Sequence, residues 1–211
     1  YFPNFHVVVI PNYMELPLKV NRKVSNIPYL LYVGRIAPIK ALDSLIVGLA
    51  HSKLFVESDF IFKIVGNVEE QFSSYYEELI TLINNKGLSG KVFFVGSKYG
   101  YEKYQCFANA YFSFLLSNSE NFGNVVIEAL SQGTPVVASK GTPWETLKDN
   151  NAGFWIQNDV NTISNCIDNI LSLDENDYQG YRNNAYMLSK QFDVNSNVWK
   201  WKELFESIKR K

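Results

Sequence analysis

The feature that most constrains the fold is a repeated alternation between short apolar runs and segments with helical periodicity. The runs are apolar or aromatic almost throughout, which predicts strands covered on both faces of a sheet. They cover residues 29–33, 60–65, 92–95, 112–116, 135–138 and 153–156. Strands of this kind need covering helices, so the intervening segments decide the fold class.

Three of those segments repeat apolar residues every three or four positions, as a helix does when one face packs on a sheet. They cover residues 42–49, 72–83 and 163–171. Gly87 is placed to end the second helix, and Asp159 to open the third. Strands alternating with helices predict an α/β fold with a doubly wound, mostly parallel, Rossmann-like sheet.

This pattern assigns residues 28–194 to one domain. Residues 1–27 contain a strand-like stretch at 7–10 and then a polar stretch, which predicts the tail of a preceding domain and a linker. The chain begins with Tyr1 rather than Met, which favours a piece of a longer protein. Residues 195–211 are predicted to form a C-terminal helix. Its apolar face needs a partner, in this domain or another, and comprises Val198, Trp201, Leu204, Phe205 and Ile208.

Composition excludes several classes of partner. Lys and Arg number 20 against 21 Asp and Glu, so no bulk charge attracts nucleic acid or an anionic membrane. Cys106 and Cys166 have neither disulfide nor zinc spacing, which fits a reducing, cytoplasmic setting. The basic end at 209–211 is interpreted as a solvated tail, and it leaves open peripheral association with the inner face of a membrane.

Ligands of open parallel sheets bind outside the carboxyl ends of the strands, so the turns that follow strands are the places to search. The turn after the first strand holds Gly34, Arg35 and Lys40. Glycine lets the backbone approach a ligand closely, and the two cations could converge on one anion. An ordinary surface loop with two solvated cations is the alternative for this turn taken alone.

The turn after the fourth strand opens a helix that runs to Gln132. Free amides at a helix N-terminus bind anions, and a nearby carboxylate could accept ligand hydroxyls. The residues of this turn are Glu120, Asn121, Phe122, Gly123 and Asn124. Glu128 lies about 7–8 Å further along the helix, a distance that suits the reach from a diphosphate to ribose hydroxyls.

Two further turns place glycine after a strand, at Gly66 and at Gly96 with Ser97. Several other chemistries have no motif in this sequence. It contains no Gly-x-Gly-x-x-Gly, no Walker A lysine loop, no Gly-x-Ser-x-Gly and no Asp-x-Asp. His6 and His51 lack metal-ligand spacing, so no metal site is predicted.

These motifs together resemble glycosyltransferase family 4, the group 1 glycosyltransferases. The resemblance covers about residues 7–160, and its most specific part is Ser-Glu-Asn-Phe-Gly-Asn-Val-Val-Ile-Glu-Ala-Leu-Ser-Gln-Gly-Thr-Pro-Val-Val-Ala-Ser at 119–139. Val-Ile-Pro-Asn at 9–12, Tyr-Val-Gly-Arg-Ile at 32–36, Ile-Val-Gly at 64–66 and Val-Phe-Phe-Val-Gly at 92–96 occur in the expected order.

The resemblance implies a GT-B enzyme, in which two Rossmann-like domains face each other across a cleft, without a catalytic metal or other cofactor. The substrate implied is a nucleoside-diphosphate sugar, transferred with retention to a carbohydrate or lipid-linked acceptor. Arg35 and Lys40 match the pair that holds the diphosphate, Glu120 the acid near the reacting carbon, and Glu128 the ribose ligand. The amides from Phe122 to Asn124 match the diphosphate cradle. Gly96 and Ser97 match the neighbourhood of the base.

Two departures and two rival interpretations stay open. The family usually has glycine where this chain has Ala41, and often Gly-Val-Asp where it has residues 13–15. The acceptor domain is missing, so the chain alone is expected to bind donor and to transfer little or no sugar. A sugar-nucleotide epimerase of the same architecture is one rival, and a non-catalytic nucleotide-binding domain is the other.

Overall fold

The computed structural model of the protein describes residues 10–23 and 27–209. Within these ranges six strands form one sheet, every neighbouring pair is parallel, and the spatial order is β3-β2-β1-β4-β5-β6. The strands are β1 (Tyr29–Val33), β2 (Ile61–Val65), β3 (Val92–Phe94), β4 (Ser113–Leu115), β5 (Val136–Ser139) and β6 (Gly153–Ile156). Each predicted strand is confirmed, with its ends displaced by one residue at most.

The helices occupy the connections between strands and the C-terminal part. They are α1 (Leu42–His51), α2 (Lys53–Glu57), α3 (Ser73–Asn85), α4 (Gly100–Asn109), α5 (Asn124–Ser131), α6 (Thr146–Asp149), α7 (Val160–Leu171), α8 (Glu175–Ser189) and α9 (Val194–Lys209). The three segments with predicted helical periodicity form α1, α3 and α7. Asp159 opens α7 by accepting a hydrogen bond from the Thr162 amide at 2.9 Å, as its position predicts.

Both faces of the sheet are buried, because side chains of each strand point alternately to opposite sides. Leu30 and Tyr32 pack into the core formed with α1, α3 and α7. Leu31 and Val33 pack into a second core formed with α5 and α8. The doubly wound, parallel, Rossmann-like fold is therefore confirmed.

The strand order creates one position where ligands are expected. β1 pairs with β2 on one side and with β4 on the other, so the connections that leave β1 and β4 diverge there. In open parallel sheets such a divergence leaves a crevice at the carboxyl ends of the two strands. The two most unusual turns of the sequence, at 34–40 and 117–124, both begin at this crevice.

Two segments lie outside the sheet and its covering helices. Residues 10–23 run along the domain, where Met14 exchanges backbone hydrogen bonds with Phe192 and Val194. The predicted C-terminal helix is α9, and its apolar face is largely exposed, Val198 and Phe205 at 56% each. Residues 7–9 of the predicted first strand, the Ile208 side chain and the basic end at 210–211 lie outside what the structure describes.

Helix length and composition bear on any membrane-spanning role. Over residues 10–23 and 27–209, every helix is too short or too polar to cross a bilayer.

Candidate functional site

A cavity of about 190 Å³ lies at the carboxyl ends of β1 and β4, where the strand order predicts a crevice. Its walls come from the turn after β1 and from the turn that leads into α5. The predicted site residues that line it are Gly34, Arg35, Lys40, Glu120, Gly123 and Asn124. The fold therefore brings together two groups of residues that are far apart in sequence.

An ion pair between Lys40 and Glu120 joins these two walls. The pair is largely sheltered, since the Lys40 side chain is 14% exposed and that of Glu120 is 19% exposed. The backbone adds a second link, a hydrogen bond of 2.9 Å from the Asn118 amide to the Ile39 carbonyl. Both walls are thus held in a fixed relation to each other.

The N-terminus of α5 faces the same cavity. Gly123 occupies the capping position with φ of 81° and provides no side-chain cap. An added Cβ would lie 2.7 Å from Leu115 Cδ2, so both conformation and space favour glycine here. The first amides of a helix have no partner within it, and the helix dipole places partial positive charge there. The arrangement can bind an anion beside Lys40.

Arg35 is placed differently from Lys40. Its guanidinium lies on the surface, with Nη1 3.2 Å from Glu69 Oε1, and its side chain is 58% exposed. Its backbone is fixed, because the buried Tyr32 hydroxyl donates a 2.6 Å hydrogen bond to the Arg35 carbonyl. Burial raises the pKa of Tyr32 well above its ordinary value, which keeps this hydroxyl a donor. Only the side chain of Arg35 is therefore free to reorient.

A second cavity, of about 180 Å³, continues the first across the ends of β2 and β3 and shares Gly34 and Arg35 with it. Gly66 and Ser97 line it, and the Gly66 amide donates to the Gly96 carbonyl at 3.0 Å. A Cβ on Gly66 would lie 1.8 Å from the Gly34 carbonyl oxygen, so only glycine permits this approach of the two turns.

Four predicted site residues lie outside the walls described for these cavities. Gly96 is exposed on the turn after β3, where its carbonyl accepts from the Gly66 amide. The Phe122 ring packs against Trp144 and Phe192, and its carbonyl accepts from the Trp144 indole. Asn121 is exposed on the turn before α5. Glu128 lies one turn inside α5, where its Oε1 is 2.6 Å from Lys103 Nζ. Glu128 thus lies inside α5, with a cationic partner that the sequence did not indicate.

Ala41 shows the consequence of one departure from the family pattern. It has φ of 49° and ψ of 42°, the left-handed conformation, and stands between the turn at 38–40 and α1. That conformation disfavours a residue with a Cβ by about 1–2 kcal/mol. Glycine is therefore the less strained residue at this position.

Sequence reasoning missed several residues around the cavities. Lys98 and Tyr99 line the second cavity directly after the predicted turn at Gly96 and Ser97, a signal that could have identified them. Asn67, which belongs to the predicted turn at Gly66, lines it as well. Glu69 and Lys103 are partners of predicted residues and became evident only through packing.

Comparison with known proteins identifies relatives of this chain. The sequence model of the family described as glycosyl transferases group 1 matches residues 17–187. Sucrose synthase from Denitrovibrio acetiphilus is 30% identical over 156 residues, which are 68% of this chain and 20% of that protein. D-inositol 3-phosphate glycosyltransferase from Actinosynnema mirum is 32% identical over 113 residues, 52% of this chain and 27% of that protein.

Solved structures agree with the sequence matches. Anabaena Alr3699/HepE, in complex with UDP and glucose, has 26% identity and a TM-score of 0.75, covering 85% of this chain and 48% of that one. Sucrose-phosphate synthase from Thermosynechococcus elongatus has 24% identity and a TM-score of 0.77, covering 94% of this chain and 52% of that one. This chain therefore spans about half of these structures and less of the curated relatives. The matches confirm the resemblance inferred from the motifs.

Proposed function

This chain belongs to the group 1 glycosyltransferases, and from that membership we propose that it is the donor-binding half of a retaining GT-B enzyme. The observation that carries the proposal is the Lys40–Glu120 pair beside the N-terminus of α5. It places a cation, a carboxylate and free amides around one cavity at the junction of β1 and β4. A nucleoside-diphosphate sugar presents complementary groups, namely phosphate oxygens and sugar hydroxyls.

The proposal assigns the diphosphate to Lys40, Arg35 and the first amides of α5. As the bond between sugar and phosphate breaks, negative charge grows on the leaving nucleoside diphosphate. Fixed positive groups stabilise that charge more strongly than water does, because they need no reorientation during the reaction. Lys40 is already in place, whereas Arg35 must leave Glu69 to join it. No step in this scheme requires a metal or another cofactor.

The proposal assigns the donor sugar to Glu120 and the nucleoside ribose to Glu128. Each carboxylate can accept hydrogen bonds from sugar hydroxyls, and a bond to a charged acceptor contributes about 1.5–3 kcal/mol. Glu120 lies in the cavity with Lys40, next to the place assigned to the diphosphate. Glu128 lies further along α5, on the side of α4. We propose that Glu120 positions the sugar.

The acceptor is assigned to the part of the enzyme that faces this domain across a cleft. The coverage of about half of the related structures supports this division. A carbohydrate or a lipid-linked sugar would be the acceptor, and peripheral contact with the inner, cytoplasmic membrane face would suit the second. The 211-residue chain alone is expected to bind donor and to transfer little or no sugar.

UDP and UDP-glucose are the first ligands to test, since both occur in complexes of the Anabaena neighbour. We propose isothermal titration of the chain with UDP, GDP, ADP and UDP-glucose. The Glu128→Ala variant is expected to weaken nucleoside-diphosphate binding by about tenfold or more. The Glu120→Gln variant is expected to retain that binding and to lose the added affinity of the attached sugar.

Glu78→Ala is the matched control, because Glu70 and Glu78 repeat the spacing of Glu120 and Glu128 on exposed positions of the α3 region. It should bind as the parent does. Unchanged nucleotide affinity in Glu128→Ala would remove the ribose assignment, and a parent that binds none of the ligands would overturn the proposed function. Acceptor-independent turnover of a nucleotide sugar by the full enzyme would instead favour an epimerase.

A further inference from the structure

A sheltered ion pair connects the two helices that follow β3 and β4. Lys103 of α4 and Glu128 of α5 approach to 2.6 Å between Nζ and Oε1, and their side chains are 22% and 15% exposed. The neighbouring pair, Lys98 just before α4 with Glu102 inside it, differs in both respects, with a separation of 3.5 Å and a Glu102 side chain that is 70% exposed. Lys103 is therefore close and sheltered enough to fix the orientation of the Glu128 carboxylate.

The position of this pair relates it to both cavities. Lys103 lies in the first turn of α4. This helix begins directly after Ser97–Tyr99, which line the second cavity. Glu128 lies one turn beyond Asn124 and Val125, which line the first. Because α4 packs against α5, the pair joins the elements that carry the two walls.

The chemistry of the pair leaves capacity for a ligand. A carboxylate has two oxygens and an ammonium group has three donor hydrogens. In the part of the chain that the structure describes, Oε1 of Glu128 accepts from Lys103, which leaves Oε2 with its lone pairs and Lys103 with further donors. Such a pair offers an acceptor and a donor side by side, the groups that two adjacent hydroxyls require.

We propose that Lys103 is a positioning residue for recognition of the nucleoside ribose, acting through Glu128. It holds the carboxylate in one orientation, with the second oxygen available to a ribose hydroxyl. The inference rests on the proposed function, in which Glu128 contacts the ribose. It adds that the selectivity for ribose over deoxyribose depends on a lysine of the neighbouring helix.

The test compares binding of UDP, GDP and ADP with binding of their 2′-deoxy counterparts by the parent and by variants. The parent is expected to bind the ribonucleotide about tenfold more tightly than the deoxynucleotide. That factor corresponds to one charge-assisted hydrogen bond from the 2′-hydroxyl. Lys103→Met is expected to reduce this preference to about twofold. Glu128→Gln should reduce the preference similarly. The double variant should lose no more of the preference than either single variant, because each change removes the same Lys103–Glu128 contact.

Lys86→Met, at an exposed position after α3, is the control and should keep the parent's preference. A purely structural role for Lys103 would lower the unfolding temperature and weaken all nucleotides equally, leaving the ratio of ribonucleotide to deoxynucleotide affinity unchanged. Lys103→Gln, which keeps a polar side chain without the charge, serves the same comparison if Lys103→Met does not fold.

The outcomes separate the inference from the proposed function. A reduced ratio in Glu128→Gln with an unchanged ratio in both Lys103 variants would overturn the inference and leave the proposed function standing. A parent chain that binds none of these nucleotides would overturn the proposed function, and the inference with it.

Discussion

Two ion pairs of the β1 turn, Lys40–Glu120 and Arg35–Glu69, have contrasting surroundings although their cations come from one short loop. The first is enclosed in the cavity, with side chains 14% and 19% exposed, and it joins two walls of the site. The second lies on the surface, with side chains 58% and 31% exposed. Exposed pairs contribute about 0–1 kcal/mol, whereas loss of one partner from a sheltered pair has larger effects.

The contrast indicates that the two cations of this loop have different roles in binding an anion. Lys40 is preorganised, because its charge is held in the cavity by Glu120 and by the fixed backbone around it. Arg35 is exchangeable, because little free energy holds it against Glu69. An anion that enters the cavity would therefore meet Lys40 first and would gain Arg35 by a side-chain movement.

The largest expected effect comes from breaking the sheltered pair. Lys40→Ala removes the fixed cation and leaves the Glu120 carboxylate unpaired in the cavity, so nucleoside-diphosphate affinity should fall by about 30- to 100-fold. Titration calorimetry measures the change, and thermal unfolding verifies that the variant folds. Lys86→Ala, at an exposed position after α3, is the control. An affinity within about threefold of the parent would contradict the preorganised role.

Disruption of the exposed pair is expected to have a smaller effect of opposite sign, an increase in nucleoside-diphosphate affinity. Glu69→Gln removes the partner that competes with a bound diphosphate for Arg35, so affinity should rise by about threefold. The gain should be greatest at low ionic strength, because salt screens exposed charges. Glu70→Gln removes the same charge from the adjacent exposed residue and separates the effect of pairing from that of net charge. Equal gains in the two variants would show that the Arg35–Glu69 contact is not the cause.

The smallest expected effect concerns the backbone that follows Lys40. Ala41→Gly relieves the left-handed strain, partly offset by the greater freedom of glycine in the unfolded chain, so stability should rise by about 0.5–1 kcal/mol. Urea unfolding measures this change. Ala50→Gly, within α1, should instead destabilise by about 1 kcal/mol. Destabilisation by both substitutions would refute the strain at Ala41.

Much of the fold could be predicted because its signals are local. An apolar run such as 29–33 indicates a buried strand by its own composition, and a stripe such as 163–171 indicates a helix by its own period. The helix α8 was missed. Its sequence, Glu175–Ser189, carries many polar residues, and its buried side chains include Tyr178 and Arg182, so its apolar stripe is weak. Tertiary packing rather than periodicity stabilises it.

The candidate site was predicted in part for a related reason. Turns after strands can be recognised from sequence, and the carboxyl edge of a parallel sheet collects them, so Gly34, Lys40 and Glu120 were grouped correctly. The roles proposed for them stay predictions. The partners Glu69 and Lys103 could not be predicted, because each belongs to another element whose side-chain direction depends on how that element packs.

The sequence by itself determined the class of fold, the strands, the main helices and the turns that carry charge, because each depends on residues that are neighbours along the chain. Only the tertiary structure decided that β1 lies beside β4, that Lys40 is enclosed while Arg35 is exposed, and that Ala41 is strained. These properties depend on contacts between distant residues and on exclusion of water by packed elements, and neither is encoded in any single segment.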